Sequence, residues 1–169
     1  MKNNVRGLVF HLFVIIIVFL ISLLINLNET VVKVVYGNIV FKVILSLFII
    51  ILYYNFGKAM SKRSSRKLDF FTGNIIFCIA IVLFMFAFVG LGADLFKFEV
   101  SGSMWKFPLD LFLMPELYIY QMFNIGYNIF SIFFAAIIPG IIYGISIKRS
   151  RAKILKKKRL MKQRQNRRR

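Results

Sequence analysis

Four hydrophobic runs, each near the length that crosses a bilayer as a helix, occupy about half of this 169-residue chain and leave little room for anything else. They cover 8–27, 37–56, 74–96 and 122–147. A hydrocarbon core about 30 Å thick takes about 20 helical residues, and a helix satisfies its own backbone hydrogen bonds there. The expected architecture is an all-α integral membrane protein, a four-helix transmembrane antiparallel bundle with an outer loop over 97–121 and a basic cytoplasmic tail over 148–169. The first run follows Lys2 and Arg6 like a signal peptide, but no A-x-A-like cleavage site comes after it, so a retained span is expected.

Charge orients the bundle. Of the 24 Lys and Arg residues, 20 fall before the first run, between the second and third, or after the fourth. Short loops rich in Lys and Arg stay in the cytoplasm during insertion, which predicts a multi-pass cell-membrane protein with both termini cytoplasmic. The abundance of Ile, Phe, Lys and Asn is that of a genome poor in G and C, a bacterial source being expected.

The loop over 97–121 holds the only tryptophan, Trp105, together with Pro108, Pro115 and the apolar stretch Leu109 to Tyr120. Proline suits the first turn of a helix. Short helices lying along the outer membrane face are the expectation, with a partly re-entrant path as the alternative, which would need its backbone sheltered by protein.

Polar residues within the runs are the candidates for ligand contact or helix contact. Lys42 falls about 22 Å up from the inner edge at 1.5 Å per residue, and Asp94 falls at about 30 Å, so the two could meet at the outer boundary. Asn124, Asn128, Ser131 and Ala135 repeat with helical spacing, which predicts a polar stripe facing the bundle interior. An outward-opening cavity would be lined by Lys42, Asp94, Asn124 and Asn128. Gly90, Gly92 and Ala93 should admit a close neighbour helix. Pro139 should kink the fourth span near Ala135 and Ala136. Cys78, the lone cysteine, reads as a small filler between helices, and His11, the lone histidine, as an interfacial residue.

Val100 to Met104, VSGSM, resembles the nucleophile motif of type I signal peptidases, in which the serine before the methionine, here Ser103, would attack the peptide. The resemblance covers five residues, Lys106 stands where that family has proline, and the chain has no room for the family's β-rich domain. Ser103 is therefore expected to be a loop residue.

The tail has thirteen basic residues among 22 and no acid. Lys148, Arg149, Arg151, Lys153, Lys156, Lys157, Lys158 and Arg159 are the candidates for anionic headgroups, at about 1 kcal/mol each near a charged leaflet. Nucleic acid or ribosome contact is the alternative partner. Ile147, Ile154, Leu155 and Leu160 allow an amphipathic continuation of the fourth helix, and the terminal QRQNRRR reads as disordered.

With no carboxylate at the middle of any run, no catalytic constellation and no metal-ligating cluster, the sequence favours a non-enzymatic accessory or scaffold subunit without cofactor or metal. It would bind a membrane protein partner or itself. The alternative is a small oligomeric transporter, channel or holin-like pore.

Overall fold

A computed structural model describes residues 2–60, 72–96 and 103–167. Among them every regular element is a helix: α1 (Lys2–Asn26), α2 (Glu29–Gly37), α3 (Ile39–Met60), α4 (Asn74–Leu91) extended by a 3-10 turn (Gly92–Phe96), α5 (Phe107–Phe112), α6 (Met114–Met122) and α7 (Ile129–Asn166). Helices α1, α3, α4 with its 3-10 turn, and α7 are long and apolar enough to cross a membrane, and they pack together as the expected bundle. Arg63, Arg66, Lys67 and the VSG of VSGSM lie outside the described residues.

Glycines fix the level of each helix. A Cβ on Gly57 would stand 2.7 Å from the Ser146 Cβ, so α3 and α7 meet at nearly backbone distance. Gly7 of α1 sits beside Thr72, Gly73 and Tyr143, which brings the start of α1, the start of α4 and the middle of α7 to one end of the bundle. This is the near end of the bundle. The Ser146 hydroxyl donates to the Tyr54 carbonyl and reinforces the α3–α7 seam.

The fourth span differs from its expected bounds. The run over 122–147 breaks after Met122 and resumes as α7 at Ile129. Asn124 adopts φ 54°, a left-handed conformation that asparagine tolerates. Asn128 then caps α7: its side chain accepts from Ser131 N–H (2.9 Å) while the Ser131 hydroxyl accepts from Asn128 N–H (2.8 Å). This reciprocal box satisfies two helix-end donors. The polar stripe is therefore a turn and a cap rather than one helix face, although Ser131 and Ala135 are buried as expected. Pro139 lies within α7, which continues to Asn166. Gln163, Arg164, Gln165 and Asn166 finish the helix where composition predicts disorder.

The largest departure is the segment expected on the outer surface. Helices α5 and α6 pack among α1, α3, α4 and α7 instead, and Leu109, Leu113 and Glu116 are buried. Ser22 of α1 shares a cavity wall with Lys106 and Gln121, whereas Phe112 meets His11, about 16 Å nearer the near end at 1.5 Å per residue. The segment thus descends and climbs back as a V with Leu113 at its vertex, serving as C-cap of α5 and N-cap of α6. Pro108 and Pro115 each stand in a first turn and start the two arms. Trp105 anchors the mouth against Phe86 and Gly90, where a Cβ would come within 2.2 Å of the indole. Gly90 was expected to admit a helix; it admits this ring.

Candidate functional site

The V creates two polar regions, one at its vertex and one at its mouth. At the vertex, His11 is fully buried, not interfacial. A carbonyl at the end of a helix has no partner within that helix, and inside the bundle water does not replace it. His11 supplies the donor for Phe112 O, with Nε2 at 2.9 Å. Because that carbonyl can only accept, Nε2 carries the proton. In the neutral ring Nδ1 then accepts, and the Tyr53 hydroxyl donates to it at 2.8 Å. The His11 ring also meets the edge of Phe112 at 4.8 Å between centroids.

Glu116, in the first turn of α6, is 2% exposed. Neither carboxyl oxygen has a partner within hydrogen-bond geometry among the described residues. The Tyr53 hydroxyl is near enough to interact with the group but is not seated on it. An uncompensated buried carboxylate costs several kcal/mol, whereas a position at a helix N-terminus returns at most about 2 kcal/mol. Burial therefore wins and favours the neutral acid. Tyr143 of α7 closes the cluster, edge-on to Tyr53 at 5.6 Å, with its hydroxyl reaching the Gly7 carbonyl at 3.4 Å.

Two adjoining cavities open at the mouth, of about 530 and 490 Å³. Ser22, Tyr118, Gln121 and Asn124 belong to both walls. The larger cavity has Met114, Leu117 and Ile125 as its apolar lining and Lys106, Asp110 and Tyr127 as its polar side. Lys106 is only 4% exposed, with its ammonium 3.8 Å from the centre of the Tyr127 ring. The Tyr127 hydroxyl donates to Asp110 at 2.7 Å. Burial pushes the Asp110 carboxyl above the usual range, and that hydrogen bond and the nearby Lys106 pull it partly back. The smaller cavity holds Lys42, Asn26 and Tyr36, and the Tyr36 and Tyr118 hydroxyls are 2.9 Å apart.

Comparison with protein-family models, curated proteins and solved structures gives no match. The site is therefore interpreted from its own chemistry.

Of the residues singled out in the sequence, Lys42 and Asn124 do meet in one cavity wall. Asp94 and Asn128 are exposed and belong to neither wall. Ser131 contributes to the α7 cap. Cys78 is exposed on α4 rather than set between helices. Ser103 accepts weakly from Trp105 N–H (3.3 Å) in the turn before α5. Sequence reasoning missed His11, Tyr53, Glu116, Lys106, Asp110 and Tyr127 as site residues. The available signal was the pair of helix-starting prolines inside a segment too apolar for a loop.

Proposed function

We propose that the protein is a non-enzymatic multi-pass membrane protein that captures a small anionic amphiphile in the paired cavities, as the binding step of a small transporter. One observation carries this reading. The Lys106 side chain is buried in the wall of a 530 Å³ cavity, and among the described residues its ammonium meets a tyrosine face, with the Asp110 carboxyl nearby. A ring face attracts a cation without using its N–H donors, so those donors remain for an anionic headgroup. Volume supports the reading, since small-molecule sites range over about 300–1,000 Å³. Met114, Leu117 and Ile125 suit an apolar tail, and Lys42 offers a second ammonium next door.

The distribution of Lys and Arg supports a cytoplasmic near end, with the cavities opening outward. On the same reading the basic end of α7 lies by the inner leaflet, where Lys148 to Arg159 attract anionic headgroups. The sequence argument for an accessory subunit rested on the lack of a carboxylate at the middle of any run and of a catalytic constellation; the buried Glu116 weakens the first premise.

The test uses the full chain in nanodiscs of neutral lipid, with decanesulfonate and decyltrimethylammonium as probes of equal tail length. Anion binding should raise the unfolding temperature with concentration, as a ligand of the native state must. Lys106→Met should remove most of that shift. Equal shifts from both probes, or an unchanged shift in Lys106→Met, would reject the reading.

A further inference from the structure

The vertex of the V contains a buried acid that the proposed capture site does not use. Glu116 lies in neither cavity wall, and both its oxygens are sealed from solvent. The occupant that fits is a proton. The Tyr53 hydroxyl from α3 lies beside the carboxyl, with Tyr143 from α7 and Tyr120 from the next turn of α6 farther out. His11 from α1 faces it through Tyr53. Tyr120 also lines the larger cavity.

We propose that Glu116, Tyr53 and His11 form a buried proton-exchange site, in which the carboxylic acid and the imidazole trade one proton through the Tyr53 hydroxyl. In the structure as it stands, Tyr53 donates to His11 Nδ1, and His11 Nε2–H donates to Phe112 O. Turning the Glu116 carboxyl onto the Tyr53 oxygen completes the chain. The carboxyl proton then passes to that oxygen as the phenolic proton passes to Nδ1. One carboxyl O–H breaks and one N–H forms, the tyrosine ends neutral as it began, and the total charge does not change. The products are a carboxylate and an imidazolium.

The backbone offsets part of the burial cost of this charge-separated form. Leu113 joins the C-terminal end of α5 to the N-terminal end of α6. The imidazolium would sit on the Phe112 carbonyl, at a negative helix end, and the carboxylate in the first turn of α6, at a positive one. Each end stabilises the charge it would receive, and the Nε2–H bond to Phe112 becomes charge-assisted without moving. A histidine serving only as a cap would need no acid beyond its tyrosine.

The chain has a single histidine, so ¹⁵N-histidine labelling of the full protein in nanodiscs reads His11 alone. The wild type should show a protonated Nε2 and an Nδ1 signal broadened or shifted by exchange with the imidazolium. Glu116→Gln, which keeps the shape of the neutral acid, should lose that exchange while keeping the protonated Nε2. Tyr53→Phe should lose it too. Infrared spectra at neutral pH should contain a protonated-carboxyl band that Glu116→Gln removes. Trp105 fluorescence verifies in each variant that the V is seated. If the Nδ1 signal is the same in wild type and Glu116→Gln, or if no carboxyl band disappears, the proposal is overturned. Because no amphiphile enters the experiment, failure here leaves the capture site standing, and failure of the capture site leaves this one.

Discussion

The vertex and the mouth of the V each place an ionisable side chain at low exposure, Glu116 at 2% and Lys106 at 4%, yet the two are solvated in opposite ways. Lys106 lies beside a tyrosine face and an open cavity. The Glu116 carboxyl has no hydrogen-bond partner among the described residues, and its oxygens are sealed from solvent. Residue burial alone therefore does not say what a buried ion can do. The volume beside its charged atoms does. A cavity makes Lys106 available to a molecule, and a sealed wall leaves Glu116 available to a proton.

The sharpest way to break this contrast is to unseat the vertex. His11→Ala removes the donor to Phe112 O, strands the Tyr53 hydroxyl and leaves a void, so thermal unfolding should register a loss of about 2–4 kcal/mol. Both regions should suffer together, because one V builds both. Unchanged stability in His11→Ala would mean that the Phe112 carbonyl finds another partner. Next comes Gly90→Val at the mouth. Its Cβ would come within 2.2 Å of the Trp105 ring, and overpacking of this kind costs about 1–3 kcal/mol. Trp105 emission should shift as the indole leaves Phe86.

Lys106→Met separates the regions. Charge-assisted hydrogen bonds contribute about 1.5–3 kcal/mol, so affinity for an alkyl sulfonate should fall by about 10- to 150-fold while the His11 nitrogen signals stay as they were. A change in those signals would show that mouth and vertex are not independent. Asn128→Ala should cost about 1 kcal/mol through the lost α7 cap. Asn124→Gly should cost little, since glycine accepts the left-handed turn at φ 54°. A stripe lining a path would instead make both positions matter equally to binding.

That last pair shows where the sequence was legible. Long apolar runs specify spans by length: α4 with its 3-10 turn covers 74–96, whereas α1 starts at Lys2 rather than at residue 8 and α3 ends at Met60 rather than at residue 56. The run over 122–147 misled because apolar content hides a break, whereas the evidence for the break lay in single residues, Asn124, Gly126 and the Asn128–Ser131 pair. Re-entry was harder to see. It depends on shelter for the Leu113 vertex, and the shelter comes from His11, whose bond to Phe112 joins residues far apart in sequence. Read along one helix, His11 lies near an end and suggests an interface; only its partner explains it. The outer cavity was half visible, since Lys42 and Asn124 were expected to line one, but Lys106, Asp110 and Tyr127 gather only once the V has folded back.

The smallest expected effect tests whether the mouth carries a titratable rival for its own ligand. Asp110 and Lys106 are one helical turn apart, and burial raises the Asp110 carboxyl above the ordinary aspartate range. Below that raised value Asp110 is neutral and Lys106 is free to meet an anion. Above it the carboxylate competes for the same ammonium, so anion affinity should fall as pH rises through a window that begins at that raised value. Partly exposed ion pairs are worth about 0.2–1 kcal/mol, which sets the fall at roughly one-and-a-half- to fivefold. A sulfonate probe keeps its own charge across that window, which assigns any change to the protein. Asp110→Asn should flatten the profile at the tighter, low-pH affinity. Should affinity instead rise with pH, or should Asp110→Asn keep the wild-type slope, the competing group is not Asp110, and the ligand headgroup does not sit on Lys106.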